Sequence, residues 1–159
     1  MKKITVEMIT DKIPCKEYTE GKVRKILGKG KTFLQFLDLD IPEKDRIWGI
    51  TRFLTDKQNR KFAIWCARQR KTDRVKIKKY IDVTEKFYAG LATQEELAGA
   101  YSAVDYAADS AAYYAAYSAA YSAAYYAAYY AAYFAAYSAD ERKKQIKKLK
   151  EIVREAKTK

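Results

Sequence analysis

A four-residue repeat fills residues 111–138, in which two alanines precede a tyrosine and a variable fourth residue. Alanine is the best helix former, and side chains four positions apart are neighbours on a helix. The repeat therefore predicts a helix. Because no proline or further glycine follows Gly99 before the repeat ends, we expect the helix that starts after Thr93 to continue through it.

The repeat does not keep its tyrosines on one helix face. A period of four on a helix of 3.6 residues per turn advances about 40° per repeat, so the tyrosine column turns by roughly 240° over its length. The column comprises Tyr113, Tyr117, Tyr121, Tyr125, Tyr129, Tyr133 and Tyr137. Either other helices surround this helix, or several copies of it wrap around each other in a right-handed sense.

The length of such a helix favours self-association. A helix of about 45 residues would be about 65 Å long, which exceeds the diameter of a globule built from 159 residues. A monomer would have to fold the helix back or leave it exposed. We therefore expect a homo-oligomer.

Capping residues predict shorter helices before the repeat. Asp40 precedes a proline and predicts a helix over about 42–54. Thr55, three residues before a glutamine, predicts a second helix through Arg70. The inner face of this second helix is expected to contain Phe62, Trp65 and Cys66. A third helix is expected over 73–89, with Gly90 as its stop.

The two ends of the chain have their own signals. Ser138 precedes a glutamate by three residues and predicts a break before a basic, amphipathic C-terminal helix. Residues 4–8 alternate like a short strand, while residues 22–27 and 33–37 could be helical. The expected fold is an all-α helical bundle in one structural domain, with a possible short N-terminal strand. Its parts are an N-terminal segment (1–40), a helical region (41–92), and the long Ala/Tyr-rich helix with the C-terminal helix (93–159).

The net charge of +12 favours polyanions or acidic protein surfaces as partners. No Lys or Arg lies between Gly99 and Asp140, so the positive charge flanks the repeat. The basic residues predicted to bind are Arg68, Arg70, Lys71, Lys143, Lys144 and Lys147.

The tyrosines have two interpretations. Rings in such a pattern are most often core or oligomer contacts, with hydroxyls that reach partners or water. Exposed rings could instead bind a partner, or stack on the bases of single-stranded nucleic acid or on nucleotides. The tyrosines predicted to bind are Tyr117, Tyr121, Tyr125, Tyr129 and Tyr133.

The sequence offers little for catalysis. It has no histidine, which removes the commonest general base and a frequent metal ligand. The densest acidic group comprises Asp38, Asp40, Glu43 and Asp45, of which Asp40 and Glu43 are already explained by helix capping. The run Gly28–Thr32 resembles the end of a phosphate-binding loop, but Lys25 stands where that motif needs glycine. We expect no enzyme activity, cofactor or metal.

The sequence also predicts where the protein is found. Cys15 and Cys66 lie far apart, and Cys66 sits in an apolar helical run typical of a buried thiol. The two N-terminal lysines are not followed by a signal-peptide core. Residues 110–139 are uncharged, but alanine and tyrosine drive membrane insertion poorly. We expect a cytoplasmic protein without a membrane partner.

Residues 41–54 and 60–68 resemble immunity proteins of bacterial toxin–immunity systems. The shared layout has two parts. The first is an acidic residue followed in turn by Asp, by Arg or Lys, by a hydrophobic residue and by Trp, here Trp48. The second is Phe-Ala-x-x-Cys-Ala followed by Arg or Glu, here ending at Arg68. The resemblance extends through the alanine-rich segment to about residue 140. It implies neutralisation of a toxin or defence effector by direct binding, possible also in phage-borne counter-defence. It transfers no site residues. The alternative function is nucleic-acid or nucleotide binding.

Overall fold

The computed structural model describes residues 3–12, 16–69, 75–104, 114–115, 117–119, 124–136 and 138–156, without the side chains of residues 124, 125 and 135. These residues are mainly helical, which confirms the all-α prediction, and the only sheet among them has two short strands. The elements are β1 (Lys3–Ile4), α1 (Val6–Thr10), α2 (Glu20–Leu27), β2 (Lys31–Thr32), α3 (Phe33–Leu37), α4 (Glu43–Thr51), α5 (Asp56–Gln69), α6 (Val75–Tyr88), α7 (Gln94–Ser102), α8 (Ala124–Ala135) and α9 (Ala139–Glu155).

Helix α5 is the centre of the bundle. It packs against α6, α8 and α9, and α8 is its most extensive neighbour. Helix α9 also covers α3 and α4, while α6 pairs with α7. One connected apolar core runs from Ile4 in β1 to Val153 in α9. Phe62 and Cys66 are fully buried in this core and Trp65 is half-buried, as predicted for the inner face of α5.

Three predicted capping boxes start helices. Thr55 exchanges hydrogen bonds with Gln58 before α5, Thr93 with Glu96 before α7, and Ser138 with Glu141 before α9. Each pair satisfies amide groups that the first turn of a helix leaves without partners. The predicted break at Ser138 is thereby confirmed.

The N-terminal strand is shorter than the alternating pattern suggests. Of the described residues at the start of the chain, Lys3 and Ile4 form the strand, and Ile4 pairs with Lys31 in an antiparallel register. Thr5 then caps α1 by accepting a hydrogen bond from the amide of Met8. This local cap competes with further strand pairing. Gly30 adopts φ +96°, and a Cβ atom there would lie 3.2 Å from the carbonyl oxygen of Ile4, so the turn before β2 requires glycine.

Two predicted helix boundaries were wrong. Helix α4 has Pro42 at its cap with no side-chain hydrogen bond, so Asp40 does not cap it, and the helix ends at Thr51. The helix that starts after Thr93 ends at Ser102 instead of continuing into the repeat. Val104, two residues after this end, has a buried side chain. The helix therefore ends where the chain places Val104 in the core. The chain therefore does not form a continuous helix of about 45 residues.

Candidate functional site: an exposed aromatic row

The alanines of the repeat determine how α8 sits on the bundle. Ala127, Ala128, Ala131 and Ala132 are at most 1% exposed. Methyl side chains let two helix backbones approach closely, and α5 is the main neighbour. The amide of Gln145 in α9 donates to the carbonyl oxygen of Ala132 at 2.8 Å. Helices α4, α5 and α9 thus pack against α8, and its buried alanines lie in this contact.

The aromatic residues at the fourth position of the repeat form a stacked series along α8. Tyr126 and Tyr130 stack with ring centroids 5.9 Å apart, and Tyr130 stacks on Phe134 at 6.5 Å. Phe134 in turn stacks on Tyr114 at 5.2 Å. Neighbours four positions apart on a helix can meet in this way. The result is a ladder of four rings on the surface of the protein.

Arg52 extends this ladder towards α4. Its guanidinium carbon lies 5.5 Å from the ring centroid of Tyr126 and 5.0 Å from that of Trp48. Both distances are typical of cation–π contacts. We call Trp48, Arg52, Tyr126, Tyr130, Phe134 and Tyr114 the aromatic row.

The aromatic row is accessible to a partner. Tyr114, Tyr126 and Tyr130 are between 39% and 46% exposed, and Phe134 is half-buried. Tyr133 is 54% exposed beside the row, with its ring edge 5.4 Å from Phe134. Large exposed apolar groups that form one contiguous surface mark interaction sites more often than scattered ones do.

The predicted tyrosines occupy different environments. Tyr133 lies beside the row, whereas Tyr117 packs its ring on Tyr101 at 5.7 Å. Tyr129 is half-buried, and this burial is the main reason why the pKa of its phenol is raised. The nearby Tyr130, Tyr133 and Asp45 raise this pKa further. Tyr121 lies outside the described residues, as does the side chain of Tyr125. The predicted column is therefore not one surface.

The described basic residues predicted to bind lie on two helices, with Arg68 on α5 and with Lys143, Lys144 and Lys147 on adjacent turns of α9. Arg68 pairs with Asp82 and Glu85 of α6, and Arg70 and Lys71 lie outside the described residues. Lys143 lies 3.6 Å from Asp140. Lys144 and Lys147 are exposed on α9 and form no ion pair with any residue that the structure describes.

Sequence reasoning missed the row because it followed only the third position of each repeat. The fourth position is aromatic at residues 114, 126, 130 and 134 and serine at residues 118, 122 and 138. Ser118 is 5% exposed. The aromatic residues at the fourth position were visible in the sequence, but residue type there does not by itself separate exposed from buried positions, because Ser138 is exposed.

The acidic group predicted around α4 is dispersed. Asp38 pairs with Lys150, Glu43 with Arg46, and Asp45 accepts a hydrogen bond from Tyr18. The described part of the chain contains no group of three or more His, Cys, Asp or Glu that could hold a metal ion. None of its helices is long and apolar enough to cross a membrane.

No family model, curated protein or solved structure matches this chain. The resemblance to immunity proteins therefore stays a prediction.

Proposed function

We propose that this chain is a non-enzymatic binding protein of the inhibitor or immunity type, which neutralises a toxin or defence effector by contact with its aromatic row. The observation that carries this proposal is the continuous series of contacts from Trp48 through Arg52 to Tyr114, in which Tyr114, Tyr126 and Tyr130 are exposed and the other members are half-buried. Tyr, Trp and Arg are the residue types most enriched among binding hot spots.

The contacts within the row favour tight binding to a protein. Each ring is already held by its neighbours, so little side-chain freedom remains to be lost when a partner binds. The rings also combine apolar area with hydroxyl groups that can bond to a partner. The net charge of +12 would attract an acidic partner surface and raise the association rate.

The experiment starts with a tagged copy expressed in a bacterial host and purified at moderate salt. Mass spectrometry and the absorbance ratio then identify any protein or nucleic acid that co-purifies. A stoichiometric protein partner supports the proposal if its toxic or enzymatic activity falls when one equivalent of this chain is added. A partner whose activity stays unchanged would contradict neutralisation.

The aromatic row is tested with the identified partner. We expect the double variant Tyr126→Ser/Tyr130→Ser to raise the Kd about 100-fold, because each hot-spot truncation costs about 1–2 kcal/mol. Tyr88→Ser is the matched control, since Tyr88 is 38% exposed on α6 and its ring contacts Arg60 outside the row. Equal effects of the two changes would place the interface elsewhere.

A second candidate function is nucleic-acid binding, favoured by the exposed Lys144 and Lys147 on α9. Bases could stack on the row while lysines contact phosphates. Salt dependence separates the two functions, because phosphate contacts make the logarithm of the affinity fall linearly and steeply with the logarithm of salt concentration. Nuclease-sensitive material that co-purifies without a protein would favour this second function.

A further inference from the structure

A half-open cavity of about 270 Å³ lies among α1, α2, α3 and α4, and Tyr129 of α8 forms part of its wall. Small-molecule sites typically measure about 300–1,000 Å³, so this volume suits one small ring-containing molecule. Most of the wall is apolar, with contributions from Ile9, Val23, Ile26, Leu27, Phe36 and Leu39.

One half-buried carboxylate lies in this apolar wall. Asp45 is in the first turn of α4, and its Oδ2 accepts a hydrogen bond of 2.7 Å from the hydroxyl of Tyr18. Asp45 takes part in none of the ion pairs between residues that the structure describes. Lys44, the cation among the lining residues, is exposed. Of the two charged lining residues, Asp45 is therefore more buried than Lys44.

The aromatic part of the wall also suits a cation. Tyr18, Trp48 and Tyr129 line the same cavity as Asp45, and cations of the protein already lie over the first two rings: Lys22 is 4.6 Å from the ring centroid of Tyr18, and Arg52 is 5.0 Å from that of Trp48. Ring faces attract ammonium groups, and a charge pair in a partly desolvated site is stronger than the same pair in water. An anion would have to pair with the solvated Lys44, where the attraction is weaker.

We propose that this cavity binds a small organic amine, with an apolar ring system against the aliphatic wall and one ammonium group on the carboxylate of Asp45. This site goes beyond the proposed function and does not depend on it: the cavity shares Trp48 with the aromatic row, but Asp45 and Ile26 lie outside the row.

The first test is calorimetric titration of the full chain at neutral pH with tryptamine and with tryptophol, its neutral alcohol counterpart. We expect saturable 1:1 binding of tryptamine and at least tenfold weaker binding of tryptophol, since only the amine can pair with Asp45. Absence of saturable tryptamine binding, or equal affinity for the two compounds, would overturn the proposal.

Substitutions locate the site. Asp45→Asn should weaken tryptamine binding at least tenfold and leave tryptophol binding unchanged, while Asp38→Asn, which alters an exposed carboxylate on Lys150, should change neither. Ile26→Trp should abolish binding of both compounds by filling the cavity, and it provides a separate test if Asp45→Asn does not fold. Binding that survives Ile26→Trp would overturn the location. Tyr126→Ser/Tyr130→Ser should keep tryptamine binding, so failure of one proposal leaves the other testable.

Discussion

Gly49 shows how one missing side chain positions two helices. A Cβ atom at Gly49 in α4 would lie 2.4 Å from Cζ of Phe36 in α3, far inside van der Waals contact. Phe36 is itself 4% exposed, so its ring has little room to move. The close approach of α3 and α4 therefore depends on glycine at this position.

We expect Gly49→Ala to lower the free energy of unfolding by about 1–3 kcal/mol, the usual cost of an overpacked core. This cost opposes the advantage of about 1 kcal/mol that alanine normally has over glycine in a helix. Urea denaturation measures the change. Gly99→Ala is the control, because a Cβ at Gly99 in α7 meets no atom within 4 Å and should stabilise by about 0.5–1 kcal/mol. A gain at both positions would argue against the contact with Phe36.

The buried thiol of Cys66 makes the stability of the fold depend on pH. The side chain is fully buried, and this burial raises the pKa of its thiol well above the ordinary value. The unfolded chain releases the thiol proton above its ordinary pKa of about 8.5, whereas the folded chain retains it. Deprotonation therefore stabilises only the unfolded state.

We expect the free energy of unfolding to be insensitive to this thiol below about pH 8 and to fall above about pH 8.5, with a limiting slope of about 1.4 kcal/mol per pH unit. Denaturant titrations at several pH values measure the slope, and Cys66→Ala should reduce it. Burial also raises the pKa of Tyr129, which acts in the same direction at higher pH. The same slope in both proteins would contradict the assignment to Cys66.

At the scale of the element, the contact between α5 and α8 depends on small side chains. Ala131 is 0% exposed in α8, and α5 is the main neighbour of that helix. Arg60 of α5 also donates to the carbonyl oxygen of Ala119 at 2.8 Å, while its guanidinium covers the ring of Tyr88. The alanine-rich segment is thus held by both close packing and a specific hydrogen bond.

We expect Ala131→Leu to destabilise the fold by about 1–3 kcal/mol, because the added carbons have no space between closely packed helices. Thermal or urea unfolding measures the loss. Ala98→Leu provides the comparison, since Ala98 is an exposed position of α7 and should change stability by less than about 0.5 kcal/mol. Similar small effects at both sites would mean that α8 does not pack closely on α5.

The elements differ in how well the sequence predicted them. Local signals sufficed where a helix starts at a capping box, as at Thr93 and Ser138. They failed at the end of α7, because no glycine or proline marks Ser102 and the burial of Val104 is a tertiary effect.

The candidate site was predicted less well than the helices. Successive repeats have nearly identical local sequence, so helix propensity cannot tell which rings face outward. Which rings face outward depends on the position of α5 and on Arg52, which follows α4 and contacts Tyr126. The fourth-position residues of the repeat carried a signal, but its meaning required the neighbouring helices.

At the scale of the whole molecule, homo-oligomerisation stays a prediction. The helix after Thr93 ends at Ser102 and α8 packs back on α5, so helix length alone no longer requires a second copy. Light scattering measures the mass of the native protein, and the Tyr126→Ser/Tyr130→Ser variant tests whether the exposed rows of two copies meet.

Charge acts on the whole molecule in two opposing ways. Ion pairs join elements that are distant in sequence, such as Lys61 with Glu155 at 2.5 Å and Lys150 with Asp38. Pairs this exposed contribute little, typically about 0–1 kcal/mol. The chain also carries 32 Lys and Arg against 20 Asp and Glu, so the compact state has an excess of repulsions.

We expect added salt to stabilise the protein, because screening removes more repulsion than attraction. An increase in ionic strength from about 0.01 M to about 0.15 M shortens the Debye length from about 30 Å to about 8 Å. A gain of about 1 kcal/mol would raise the Tm by about 2–4 °C for a domain of this size.

The double variant Lys144→Gln/Lys147→Gln lowers the net charge without breaking an ion pair among the described residues, so its Tm should be higher at low salt and rise less with added salt. A Tm that falls with salt would mean that the ion pairs between helices outweigh the net repulsion.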